Sequence, residues 1–394
     1  MNASTEDKPF LTVGNYDWPK MPTDDRARLA INRLKEEIFG STEAEEPAIS
    51  DDQLKEITAD LLDNVAAPPA CGKLLDEMTL SLAPWLDHED AARRVQLVVL
   101  PPCDENNIVG TWARRHDLAC LEAPSRDALL SESIAPFPNL DGEGVLVIPN
   151  LEAWFLRHRN GLRTIRTLLT SISNTERRCL IGCNSWAWAY LSSVMHAQSQ
   201  LPEGLMFQSF DRMRLHDWFF DLSTSPPSGA LTFRVSENGN DVFKTDDNGD
   251  PQSDFFQKLA AHSLGIPWVA WSLWRRSLRQ TRDVDPGEGD SVEMPQQDEA
   301  EERTIWVAAL EDFSLSTNSR KQALLVLQSL LIHGPLSVAH LSATLPFLGQ
   351  TNVVEALLRA GFVRLEEGCV ACVSAAYPAI RRELSNAGYT LDVL

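Results

Sequence analysis

No apolar run in this sequence approaches the length of about 20 residues that a bilayer-spanning helix needs. The opening stretch, MNASTEDKPFLTV, lacks the basic-then-apolar order of a signal peptide. Cysteine is sparse, and its seven copies are scattered: Cys71, Cys103, Cys120, Cys179, Cys183, Cys369 and Cys372. An odd, dispersed set suggests no disulfide framework and fits a reducing compartment, so the expected location is the cytoplasm. Positive charge is also short, with 35 Lys and Arg against 56 Asp and Glu, a formal net charge of −21. Such a surface repels phosphate backbones and anionic lipids, which disfavours nonspecific nucleic-acid and membrane binding. The hydrolase signatures G-x-S-x-G and H-E-x-x-H are missing. Cys369-x-x-Cys372 has metal or redox spacing, but no second pair accompanies it, and strand residues at that spacing face opposite ways. No metal site is expected.

What is present is an alternation of strands and helices. VQLVVL (95–100), DLACLEA (117–123), GVLVIP (144–149), RRCLIGC (177–183) and GLMFQSF (204–210) read as short apolar strands. Segments of crossover length separate them. That pattern predicts an α/β fold with a parallel sheet covered on both faces. Upstream, the spacing predicts helices over 26–40 and 51–64, then over 66–86 a Pro-rich turn feeding an amphipathic helix. Downstream, alternation about Asn238-Gly239 predicts a β-hairpin over 231–244. Residues 253–279 return to helix, broken at Gly265-Ile266-Pro267. Trp268, Trp271 and Trp274 recur there as a stripe that reads as core. The stretch 281–303 holds nine Asp or Glu against two Arg and reads as a flexible linker. Residues 321–374 then follow the order helix, short helix, helix, strand, strand, which is that of a winged helix.

The strand at 144–148 runs into Pro149, Asn150 and Glu152. VLVIPNLEAWFLRHRNGLRTI looks like the Walker B strand of a P-loop ATPase with its helix. LIGCNSWAWAYL looks like the next strand, with Asn184 where such enzymes place a polar sensor. FDRMRLHDWFFDL and SLGIPWVAWSLWRRSL are similar to the entry and motif of a helical lid. Over roughly residues 60–390 the order resembles the AAA+/STAND-like P-loop ATPases that carry a C-terminal winged helix. The resemblance implies an N-terminal arm and helices (1–60) and a P-loop NTPase-like α/β core (61–222). It further implies a β-hairpin and helical lid (223–280), an acidic linker (281–303) and a winged-helix domain (304–394).

A phosphate loop needs glycines to wrap phosphate, a Lys for charge and a Ser/Thr for magnesium. The best match is APPACGKL (67–74). Gly72 and Lys73 fit it, but Ala67 replaces a glycine, Leu74 replaces the magnesium hydroxyl, and two prolines remove N–H donors. At the Walker B position Pro149 cannot ligate metal and Asn150 is neutral. Two separate losses of magnesium ligands point to a non-hydrolysing relative. If nucleotide binds, ATP or ADP would meet Gly72, Lys73 and Asn150. If it is hydrolysed, Lys73 would neutralise phosphate, Glu152 would assist water and Asn184 would sense the γ-phosphate.

Three further clusters carry two readings each. LPPCDENN (100–107) sets Cys103, Asp104 and Glu105 at the carboxyl end of a strand, where α/β proteins place ligands; the other reading is a solvated turn. Asp87-His88-Glu89-Asp90 looks metal-like but also suits a helix start. Arg157, His158, Arg159, Arg163 and Arg166 are the densest basic cluster, with Arg159, Arg163 and Arg166 expected on one helical face. They would grip an acidic partner or simply balance charge.

Three functions stand on these residues. The first is a regulatory or scaffold protein that binds other proteins, such as an active ATPase or a membrane-associated complex, with self-association open. The second is an active ATPase with an atypical site. The third is a DNA-binding regulator, disfavoured because the recognition-helix candidate TNVVEALLRAGF offers only Arg359 as a cation.

Overall fold

The computed structural model describes residues 9–21, 48–57, 62, 72–87, 94–131, 139–224, 231–282, 303–310, 312–315, 320–392 and 394. The predicted helix over 26–40, the segment 88–90 and most of the acidic stretch 281–303 lie outside the described residues. The chain divides into two compact units. The first comprises 1–17, 70–209 and 312–394, and the second 18–69 and 210–311.

The first unit is built on a mostly parallel sheet. Its strands are β1 (Val95–Leu100), β2 (Ala119–Cys120), β3 (Leu146–Ile148), β4 (Cys179–Asn184) and β5 (Gly204–Met206). The order across the sheet is β5-β1-β4-β3-β2, with Leu11–Thr12 pairing antiparallel at the β5 edge. All five predicted strands are present and parallel. They form because the runs are continuously apolar: Leu97, Val98, Val99, Val147, Ile148, Leu180 and Ile181 are fully buried or nearly so. β1 and β4 are neighbours whose onward connections run opposite ways, one to β2 at the far edge and one to β5. The crevice at their carboxyl ends is therefore a topological switch point, where open α/β sheets bind ligands. Gly182 in β4 is required there, because a Cβ would sit 2.1 Å from the carbonyl oxygen of Pro149.

Helices α1 (Gly72–Asp87), α2 (Ile108–Arg115), α3 (Arg126–Leu130), α4 (Arg163–Asn174) and α5 (Ser185–Met195) belong to the same unit. So does a C-terminal module of α6 (Arg320–His333), β6 (Leu336–Ser337), α7 (Val338–Thr344), α8 (Val353–Arg359), β7 (Val363–Glu366), β8 (Cys369–Cys372) and α9 (Tyr377–Asn386). Its three strands pair antiparallel in the order β6-β8-β7.

The second unit holds a four-stranded sheet ordered 54–56, 278–281, 303–307, 231–235. The helix predicted over 51–64 gives way to a strand at Leu54–Glu56, because pairing with 279–281 overrides local propensity. The hairpin turn at Asn238-Gly239 is present, with Gly239 at φ +70°, but its return arm reduces to a single bridge, Arg234 to Asp241. Residues 303–307 pair with both 231–235 and 278–279, so the strands flanking the acidic stretch share one sheet. Trp268, Trp271 and Trp274 are buried, and Trp274 packs on Phe219, Phe233, Phe243, Phe255 and Phe256. The tryptophan stripe is core.

Candidate functional site

A cavity of about 470 Å³ lies over the carboxyl ends of β1, β3 and β4. The loop from β1 to α2 supplies Cys103, Asp104 and Glu105; the end of β3 supplies Pro149, Asn150 and Glu152; and β4 supplies Cys183 and Asn184. The C-terminal module closes the far side with residues of α6, β7 and β8, including Arg364 and Cys372.

Asp104 organises the β1–α2 loop. Its carboxylate accepts the N–H of Ile108 at 2.7 Å and of Asn106 at 3.0 Å. Asn107, in left-handed backbone at φ 44°, caps α2 through its side-chain oxygen, which accepts the Gly110 N–H at 3.3 Å. A Cβ at Gly110 would meet that Asn107 amide at 2.4 Å, so glycine here serves the cap. The free amides of a helix N-terminus are the usual seat of a phosphate. At α2, amides of that first turn are taken by side chains of the loop itself. Burial pushes the Asp104 carboxyl up to about 6, although the N–H bonds of Ile108 and Asn106 oppose it.

Glu152 follows β3 in a single turn of 3-10 helix, Leu151–Trp154. Its carboxylate accepts the backbone N–H of Asn184 at 3.1 Å. Burial pushes it up to about 7, against the pull of that hydrogen bond and of the nearby Arg126. A carboxyl in this range shares its proton near neutral pH, the property of a general base. Asn184 caps α5, accepting the Ala187 N–H at 2.7 Å, and donates to the carbonyl of Ile332 at 3.3 Å.

Arg126, on α3, donates to the carbonyls of Glu152 (3.1 Å), Ala153 (3.2 Å) and Phe155 (2.8 Å), and to that of His333 (2.7 Å). With Asn184 it satisfies the last carbonyls of α6, which no residue within that helix can reach. His333 is buried; its Nε2 accepts the Arg157 N–H at 3.3 Å, and burial together with Arg126 and Arg157 holds it well below the usual range, hence neutral. Further ties join core and module. Asp392 accepts from Ser185 (2.6 Å), Tyr377 (2.8 Å) and Arg381 (3.0 Å). Glu105 accepts from Arg364 (2.5 Å) and Ser374 (2.8 Å). His340 meets Asp127 at 2.9 Å.

The structure brings Asn150, Glu152 and Asn184 together at the cavity. Gly72 and Lys73 are not among its lining residues. They occupy the first turn of α1, ahead of β1, and residues 63–71 before them lie outside the described residues. The strand–loop–helix at the cavity is β1, 101–107 and α2. Arg163 and Arg166 are exposed on α4, but Arg159 precedes that helix in a turn. Gly161 makes the turn, since a Cβ would lie 2.4 Å from the Leu156 carbonyl oxygen, and the expected single helical face holds only the later two arginines. Arg359 is exposed and paired with Glu355 one turn earlier at 3.1 Å. Arg126 and Arg364 have no local sequence signal, and the local signal at Cys372, its spacing from Cys369, does not point to Cys103. Each matters through a partner far along the chain. Among the described residues no group of three or more His, Cys, Asp or Glu is placed to hold a metal, and no helix is long and apolar enough to cross a membrane.

No family model matches the sequence, and no curated protein does. Solved structures include two weak likenesses. A variant of Thermotoga maritima RuvB shows 13% identity and a TM-score of 0.30, with 80% of this chain and 95% of that chain covered. The Thermotoga maritima RuvB Holliday junction branch migration motor shows 12% identity and a TM-score of 0.27, covering 75% and 88%. At scores of this size the likeness carries no argument about this chain.

Proposed function

We propose that the chain is a pseudo-ATPase, an AAA+-like P-loop fold that no longer turns over nucleotide and acts by binding other proteins. The observation that carries this reading is Asp104. Its carboxylate sits where the strand–loop–helix of such a fold cradles phosphate, and it accepts the N–H groups of Ile108 and Asn106. A second anion would meet a carboxylate there instead of free donors, and the loop PPCDENN brings neither Lys nor Gly. In this reading the C-terminal module is a winged helix serving as a docking surface. Exposed Arg163 and Arg166, with Arg159, would meet an acidic partner protein.

Titration with a fluorescent ATP or ADP analogue, with and without magnesium, tests the reading. Binding should be absent in both, and phosphate release should equal the buffer control. Magnesium-dependent turnover abolished by Glu152→Gln would replace this reading with the atypical ATPase. That second reading has one observation in its favour: Glu152 is held near 7 in the same cavity, as a base acting on water would be.

A further inference from the structure

Three cysteines line the cavity, and two of them come from segments that are tied to each other. Cys103 comes from the loop after β1, and Cys372 ends β8 in the C-terminal module. The Cys103 thiol is the largest influence on the Cys372 thiol, which it raises. The surrounding contacts hold the two segments together independently of the sulfurs. Ser374 donates to the Cys103 carbonyl at 3.5 Å and to Glu105 at 2.8 Å, and Arg364 pairs with Glu105. Cys103 is half-buried, in left-handed backbone at φ 63°, and Cys372 is buried. The third cysteine, Cys183, is turned to other use, its thiol donating to the Asn184 carbonyl at 3.4 Å.

We propose that Cys103 and Cys372 form a peroxide-driven, reversible disulfide that locks the C-terminal module onto the β1–α2 loop and shuts the cavity. The inference concerns the module and the loop, and it stands whether or not nucleotide binds. Cys103 is the more accessible sulfur and reacts first. Its sulfur attacks one oxygen of hydrogen peroxide, the O–O bond breaks, and the products are a Cys103 sulfenic acid and water. The Cys372 sulfur then attacks the Cys103 sulfur. The S–O bond breaks, the hydroxide leaves with the Cys372 proton as a second water, and the S–S bond forms. Two thiols and one peroxide give one disulfide and two waters. Cys103 beside it and burial push the Cys372 thiol well up, so its proton leaves only as it attacks, passing to the departing hydroxide. The two segments are already held together by Ser374 and Arg364, and the sulfurs need only close to the covalent length of about 2 Å. A thiol reductant reverses the bond.

The experiment uses the full chain, reduced and then exposed to equimolar hydrogen peroxide. Peptide mapping without reductant should show one linked pair, joining the peptides that contain Cys103 and Cys372, with the loss of two hydrogens. Thiol reductant should restore both. Backbone hydrogen exchange in β8 and in residues 101–107 should slow on oxidation. The linked pair should vanish in Cys103→Ser and in Cys372→Ser but persist in Cys183→Ser. Mapping of the unsubstituted chain is decisive even if a serine variant folds poorly. Linkage of Cys103 to Cys183, sulfinic acid at Cys103 with no linkage, or both thiols intact while exposed Cys120 is oxidised would each overturn the proposal.

Discussion

Replacing Glu152 by Gln tests the electrostatics of the cavity through stability alone. Burial lifts this carboxyl from its ordinary value of 4.5 to about 7. Between those values the native chain holds a proton that the unfolded chain has released, so stability falls as pH rises through the window. The full separation corresponds to about 3 kcal/mol, with the pull of Arg126 already included. About 2 kcal/mol of it falls between about pH 5.5 and about pH 8.5. Gln keeps the shape and an oxygen for the Asn184 N–H but has no proton to lose. Urea unfolding of both proteins at the two pH values isolates this group, because every other titration, that of Asp104 included, cancels in the difference. The substitution should be nearly neutral or mildly destabilising at the lower pH. Relative to that baseline it should gain about 2 kcal/mol at the higher pH. An equal effect at both would mean that Glu152 is ionised throughout, well solvated or fully paired, and the account of the site would fail.

Arg126→Met removes the donor shared by four carbonyls, those of Glu152, Ala153, Phe155 and His333. It should lower unfolding free energy by on the order of 3 kcal/mol in denaturant titration, and a cost below about 1 would show the carbonyls to be solvated instead. A protease site inserted between residues 283 and 302 should, once cut, leave two fragments that co-elute in native gel filtration. The reason is that 303–307 pairs with 231–235 while 312–394 belongs with 70–209, and separation without denaturant would refute it. Random duplex DNA should give no gel shift at moderate salt, since Arg359 is already paired with Glu355, and tight, salt-sensitive binding lost in Arg359→Ala would restore a DNA-reading role.

The parallel sheet was legible because each strand is a short continuous apolar run between turn residues, a signal that survives without knowledge of partners. Glu152 and Asn184 were legible for a related reason, since polar residues just past a buried strand fall at the carboxyl edge of the sheet. The strand at Leu54–Glu56 was not, because its apolar spacing also suits a helix and only its partner at 279–281 decides. Gly72-Lys73 opens α1, a placement that a short motif does not encode. Asp104 was visible as one of two adjacent acids at a strand end, but its capture of the Ile108 amide depends on the left-handed turn at Cys103 and Asn107. Arg126, Arg364 and Cys372 act on partners more than 200 positions away (Arg126 on His333, Glu105 on Arg364, Cys103 on Cys372), and no local period encodes such pairs.

The capping of α6 by Asn184 and Arg126 bears on the order of events at the ribosome. Residues 70–209 emerge before residues 210–311 of the second unit, and only then comes the segment from 312 onward that completes the first. Until it arrives, the amide of Asn184 and the guanidinium of Arg126 have no α6 carbonyls to bind, the Trp186 indole N–H lacks the Tyr377 hydroxyl, and the Phe155 ring lacks His333 against it. The nascent sheet domain therefore waits, part-finished, through the synthesis of about a hundred residues, at about 5–20 residues per second. Closure on such distant partners is entropically slow. A chain built this way depends on keeping its early half from associating with other chains during translation.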